Sequence, residues 1–274
     1  MSPPSRLCAV DLDDTLLGAD HKISARNAQA IAAVRAEGVI VVLASGRMYE
    51  TTLPFVNQLD LDTPVICYNG AIVRHPRTGE TWLQEQVPAE LAAVVRAYAT
   101  ENHLQLNYYL SGHLYSAAMT PWLELYQSRT NSPIELLNDF NSALSGTTPI
   151  KMIIVDSPQR TDELLPVFRD RFAGELYVTK SNDEYLEFLP PAANKGTALA
   201  AVAARYGVLR AETVAIGDSW NDIPMLRWAG IGVAVGNAKT DVKAVAERVV
   251  ATNAEDGVAQ ALYESFHIEM PTGP

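Results

Sequence analysis

At 274 residues the chain is long enough for one large α/β domain or for a core carrying a second, smaller module. Its 48% hydrophobic and 19% charged residues describe a compact globular protein and exclude a disordered one. A net charge of −11 argues against a general binder of nucleic acid or anionic membrane, which needs a basic surface, yet permits an anionic substrate if cations are supplied locally.

The opening, Met1 to Arg6, carries one basic residue and reads as no secretory signal. Apolar runs such as Val39 to Ala44 fall far short of the roughly 20 residues of a membrane helix. The expected location is therefore cytoplasmic, and Cys8 and Cys67, both in apolar strand-like runs, are expected as buried free thiols. Arg6 to Asp11 reads as a short apolar strand ending in carboxylates. Ser24 caps a helix with Ala28, Ile31, Ala32 and Val34 on one side, and Gly38 stops it. Val39 to Ala44 is a second strand, followed by Ser45-Gly46-Arg47 and a short helix; Pro64 to Tyr68 is a third strand. These spacings imply parallel βαβ units in an open sheet covered on both faces.

After Asn69-Gly70, Ala71 to Arg74 and Thr81 to Val87 flank the turn 75–79 as a hairpin leaving the core. From Pro88 to Pro190 the pattern is helix, two or three strands, helix, strand (Ile150 to Val155), helix (Arg160 to Phe172) and two strands. That mixture predicts an α+β module, in which Tyr108, Tyr109, Tyr115, Trp122 and Tyr126 concentrate. The βα alternation returns with a helix from Lys195 to Tyr206, a strand at Thr213 to Gly217, a helix from about Trp220, a strand at Gly232 to Val235 and two short units. The expected architecture is a Rossmann-like, doubly wound parallel sheet core (1–83 plus 191–274) interrupted by an inserted α+β cap (84–190).

Four places carry chemistry, each at the carboxyl end of a core strand or at a helix start, the rim where open α/β sheets bind ligands. Asp11, Asp13 and Asp14 follow the first strand directly, and such carboxylates repel one another unless a cation sits among them. In an extended chain Asp11 and Asp13 face one way while Leu12 turns aside, and Mg²⁺ accepts two carboxylates with waters and phosphate oxygens. A solvated turn would use the same residues. Ser45 and Gly46 can donate to a phosphate oxygen, and Arg47 can clamp an oxyanion or pair with a neighbouring acid. Lys195, in the first turn of a helix, is misplaced for the macrodipole unless an anion lies there too. Asp218 and Asp222 sit on one face of a helix start, where a third metal carboxylate could stand.

In this order the motifs resemble the haloacid dehalogenase (HAD) superfamily, in particular its Cof-type sugar-phosphatase-like branch. The matching segments are Asp-Leu-Asp-Asp-Thr-Leu-Leu at 11–17, Ser-Gly-Arg at 45–47, Tyr-Asn-Gly-Ala at 68–71, Asn-Lys-Gly at 194–196 and Gly-Asp-Ser-Trp-Asn-Asp at 217–222. The resemblance implies a phosphatase acting on small phosphomonoesters, sugar phosphates or phosphorylated cofactors, through an aspartyl phosphate. It implies Asp11 as nucleophile, Asp13 as acid–base, and Leu12, Ser45, Gly46, Lys195 and Asn221 as phosphate contacts, with Arg47 as a further clamp. Mg²⁺ would be held by Asp11, the Asp13 carbonyl and Asp218, with Asp222 supporting. A phosphotransferase or mutase using the same aspartyl phosphate is the competing enzyme; a phospho-accepting receiver or an idle binding protein is the non-enzymatic one. A receiver would be far shorter and would lack the inserted module. Oligomeric state is not legible.

Overall fold

The computed structural model describes residues 6–269. The expectations placed on residues 1–5 and on the end of the second core segment beyond 269 lie outside the described residues. In chain order the elements begin with β1 (Leu7–Val10), α1 (Ala25–Ala36), β2 (Ile40–Leu43), α2 (Tyr49–Gln58), β3 (Val65–Cys67), β4 (Ile72–Arg74) and β5 (Thr81–Gln84). There follow α3 (Ala89–Glu101), β6 (Gln105–Leu110), β7 (His113–Ser116), α4 (Pro121–Thr130), β8 (Ile134–Leu136), α5 (Phe140–Ala143), β9 (Lys151–Val155), α6 (Pro158–Arg171), β10 (Tyr177–Asn182) and β11 (Tyr185–Leu189). The chain returns through α7 (Lys195–Arg205), β12 (Thr213–Gly217), α8 (Ile223–Trp228), β13 (Ile231–Ala234), α9 (Thr240–Val245), β14 (Arg248–Val249) and α10 (Gly257–Phe266).

β14, β13, β12, β1 and β2 form, in that order, an all-parallel sheet. β1 lies inside it, and Leu7, Cys8, Ala9 and Val10 are all fully buried, as a strand covered on both faces requires. The covering helices are fixed locally. Ser24 Oγ accepts the Asn27 N–H at the start of α1, and Gly38, at φ +85°, ends the turn beyond it. Both cysteines are buried and unpaired. Burial pushes the Cys67 thiol up to about 12 and raises Cys8 in the same way. Among the described residues no helix is long and apolar enough to cross a membrane.

The inserted cap is a six-stranded sheet, β10-β11-β9-β6-β7-β8, antiparallel except where β7 meets β8. Strand alternation gives its two faces different duties. Tyr108, Met152, Ile154, Leu186 and Phe188 point into the cap's own hydrophobic cluster, against Val95 of α3 and Leu164 and Phe168 of α6. Their neighbours Tyr109, Ile153, Val155, Tyr185 and Leu189 belong instead to the cluster shared with the parallel-sheet core. Lys151 and Glu187 fall on that second, core-facing side.

The third strand departs from the expected parallel unit. β3 touches the main sheet through a single parallel bridge, Ala44 to Ile66, and pairs antiparallel with β4, which pairs with β5. The 72–84 hairpin therefore extends the core edge as a three-stranded sheet. The cause is the turn Tyr68-Asn69-Gly70, where three consecutive residues take positive φ (50°, 57° and 103°) and reverse the chain. The turn is held by contact: a Cβ on Gly70 would lie 2.4 Å from the Asn194 carbonyl oxygen. Gly70→Ala should therefore lose more than about 2 kcal/mol, strain and overlap combined. Gly146→Ala meets no atom within 4 Å and should cost only the conformational penalty of about 1 kcal/mol. Denaturant midpoints of the two variants check the difference.

Candidate active site

The ends of β1, β2 and β12 and the first turn of α7 converge at one rim. Asp11 follows β1, Ser45 stands just beyond β2, Asp218 follows β12, and Asn194 caps α7 by accepting the Thr197 N–H, which fixes Lys195 next to it. Lys195 is fully buried, with its ammonium 2.5 Å from Asp11 Oδ1 and 2.6 Å from Asp222 Oδ1. Asp222 Oδ2 accepts the backbone N–H groups of Asp218 and Ser219, each at 3.0 Å. Both its oxygens are engaged, and Asp222 braces the lysine and the 217–222 turn. Gly217 is required there, because a Cβ would lie 2.6 Å from the Asp222 carboxyl carbon.

Asp11, Asp218 and Asp222 each offer a carboxylate oxygen within 4.8 Å of the others. Asp218 Oδ1 accepts the Thr15 hydroxyl at 2.9 Å. Among the described residues, one oxygen each of Asp11 and Asp218 thus remains without a donor. Burial, then Asp222, push the Asp11 carboxyl up to about 7, although Lys195 pulls the other way. Asp218 is raised well above the carboxylate range by burial and then by Asp11 and Asp222. Burial opposes the Lys195 charge, but Asp11 and Asp222 outweigh it and raise its pKa. One lysine cannot neutralise three buried carboxylates. A divalent cation among the free oxygens fits this donor set, all oxygen and rich in charge, as Mg²⁺ prefers.

Asp13 does not join the cluster. The turn after Asp11 sends its carboxylate to Arg47, which grips it in a fork, Nε to Oδ2 at 2.8 Å and Nη2 to Oδ1 at 2.5 Å. Arg47, expected to clamp an oxyanion or pair with an acid, makes the second contact here. Leu12 is buried, and among the described residues neither its N–H nor that of Gly46 donates to a protein acceptor. Asn221 gives its Nδ2 to Asn69 Oδ1 at 2.8 Å and, among the described residues, leaves its own Oδ1 without a partner.

A cavity of about 330 Å³ opens over these groups, lined by Asp11, Asp13, Gly46, Arg47, Asp218 and Asn221 below and by cap residues including Tyr126, Arg129 and Tyr185 above. Of the aromatics expected in the cap, Tyr126 lines the cavity, while Tyr108 and Tyr109 are buried in packing. Tyr185 was missed, and its buried hydroxyl has no partner among the described residues. Lys151 and Glu187 were missed too, and Asn69, though part of the 68–71 motif, was given no role of its own. The available signal was a charged residue inside each of two apolar strand runs, Ile150 to Val155 and Tyr185 to Leu189.

Comparison with known proteins agrees with this geometry. Residues 8–262 match the family of haloacid dehalogenase-like hydrolases. The chain is 31% identical to the 5-amino-6-(5-phospho-D-ribitylamino)uracil phosphatase YitU of Bacillus subtilis, covering 96% of this chain and 98% of that one. It is 30% identical to the B. subtilis phosphatase YwpJ, over 94% and 98%. A haloacid dehalogenase-like hydrolase from Bacteroides thetaiotaomicron superposes with a TM-score of 0.83 at 30% identity, over 95% and 99%. The chain belongs to the haloacid dehalogenase-like hydrolases, in their Cof-type branch, and is a phosphatase.

The raised carboxylates carry a consequence for stability. An acid whose pKa is higher folded than unfolded binds its proton more readily in the native state, so ionising it destabilises the fold. For Asp11 the effect is absent below the ordinary value of 3.8 and complete above about 7. The melting temperature of the chelated protein should fall as pH rises through that window. Mg²⁺ at about a hundredfold excess over Kd should return about 2.7 kcal/mol at neutral pH. A melting temperature that ignores both pH and Mg²⁺ would refute this account of the cluster.

Proposed function

We propose that this phosphatase hydrolyses small phosphomonoesters in two steps through an aspartyl phosphate on Asp11, with Mg²⁺ held by Asp11, the Asp13 carbonyl and Asp218. The observation that carries the reading is the buried Asp11 carboxylate, oriented through one oxygen by Lys195 and lining the cavity. Bound there, Mg²⁺ offsets the repulsion between a carboxylate and a phosphate dianion.

In the first step an Asp11 oxygen attacks phosphorus, the bond from phosphorus to the alcohol oxygen breaks, and Asp13 gives that oxygen its proton. In the second, Asp13 takes a proton from water as the water oxygen attacks phosphorus, which frees Asp11 and releases inorganic phosphate. Ser45, the Leu12 and Gly46 amides, Asn221 and Lys195 hold the phosphoryl oxygens as charge shifts among them. Asp222 keeps Lys195 in place, and Arg47 sets the plane of the Asp13 carboxylate. The cavity suits an alcohol half of sugar or ribityl size, in line with the substrate in the name of the YitU relative.

The purified protein should release inorganic phosphate from a panel of sugar phosphates and phosphorylated cofactors with Mg²⁺ and none with chelator. Release that persists in excess chelator would remove the metal from the reading. Asp11→Ala should abolish turnover while circular dichroism stays unchanged. Asp13→Ala should lower kcat by roughly 10²- to 10⁴-fold on a substrate with a poor leaving group; a loss below about threefold would exclude it as the acid–base.

A further inference from the structure

The proposed roles leave unexplained two ionisable cap side chains that line the cavity. Lys151 of β9 and Glu187 of β11 are each only 1% exposed. Lys151 Nζ donates to Glu187 Oε2 at 3.0 Å and, across the boundary, to the Gly46 carbonyl oxygen at 2.7 Å; it also lies 5.1 Å from the centre of the Tyr109 ring. Glu187 Oε2 also accepts Asn69 Nδ2 at 2.8 Å, and its other oxygen accepts the Ser181 hydroxyl. Protein groups thus engage both members of the pair, leaving little capacity for a substrate hydroxyl.

We propose that Lys151 is a positioning residue which, with Glu187 and Asn69, completes the phosphate-binding loop only while the cap is docked. Three successive carbonyls of that loop each take a donor. Ser45 O accepts the Asn69 N–H at 3.0 Å and Arg47 O accepts the Tyr68 N–H at 2.9 Å, both from the core. Gly46 O alone is served from the cap. Its peptide unit includes the Arg47 N–H, which donates to Ser45 Oγ at 3.1 Å. A cation on the carbonyl end polarises the unit and strengthens the hydrogen bond at the amide end. Ser45 Oγ, already accepting, keeps its own proton for a phosphate oxygen. Through Glu187 the same pair holds Asn69, and Asn69 holds Asn221. Cap docking and the readiness of the loop are thereby one event. The proposal rests on the reading of Ser45, Gly46 and Asn221 as phosphate contacts.

The test compares K151M, K151R and the double variant K151M/E187M by phosphate release, melting temperature and hydrogen exchange of the 45–47 amides in substrate-free protein. K151M alone strands a buried carboxylate and is expected to lose the most stability; the double variant strands no charge and loses only the hydrogen bonds to Gly46, Asn69 and Ser181, so its melting temperature should lie above that of K151M. The kcat of the double variant should nevertheless fall about ten- to a hundredfold, with KM changed less than about threefold, and its 45–47 amides should exchange about tenfold faster. K151R, which keeps a donor for Gly46 O, should recover part of the rate. Wild-type kcat and protection in the double variant would overturn the proposal, because the pair would then serve packing alone. If the wild type releases no phosphate from any monoester, the proposed reaction fails on its own, and the amide exchange still decides whether Lys151 holds the loop.

Discussion

The Lys195 ammonium, buried between Asp11 and Asp222, is the interaction on which the site depends. Its partners come from opposite ends of the chain, and burying such charges is tolerable only when each is paired and hydrogen-bonded. That demand explains several otherwise separate features. Asp222 spends one oxygen on the lysine and the other on two backbone amides, Gly217 lacks a side chain so that Asp222 can approach, and Asn194 caps α7 to fix the lysine. The arrangement remains negative overall, so it is suited to a divalent cation and, through that cation, to an anionic substrate.

Much of the fold was legible because buried parallel strands are short apolar runs bounded by turn residues. Thr213 to Gly217 was read to the residue, and the helix expected from Lys195 begins there as α7. β8 was not separated out, since it is only three residues long, with Ile134 partly buried and Glu135 and Leu136 exposed. β3 has the composition of a central parallel strand; what sends it into a different sheet is the left-handed turn after it, which composition does not encode. The positions of the site were legible as motifs, but the direction of Asp13 was not. Alternation suggested that it would meet Asp11, whereas the turn carries its carboxylate to Arg47. Lys151 and Glu187 were passed over although each is a charge within an apolar strand, and their pairing follows from β9 and β11 lying side by side, an order no local pattern reveals.

The cap divides its labour by strand parity. One face packs on helices and gives the module a core of its own, while the other presents Tyr185, Glu187 and Lys151 toward the catalytic rim. A one-residue register slip in β9 or β11 would turn those charges into the aromatic cluster around Phe168 and Phe188. Pairing of the buried charges therefore also guards the register of the sheet that carries them.

The place of β1 between β2 and β12 bears on how the molecule is made. During synthesis the β2 edge of β1 can be satisfied early, but its other edge waits for Thr213 to Ile216, roughly 200 residues downstream. At about 5–20 residues per second that interval is on the order of ten to forty seconds. Throughout it, a fully apolar strand offers an open row of backbone donors and acceptors, the kind of edge that recruits other chains. The insertion thus lengthens the period in which the nascent core is exposed, and chaperone demand on the ribosome should scale with the length of the cap.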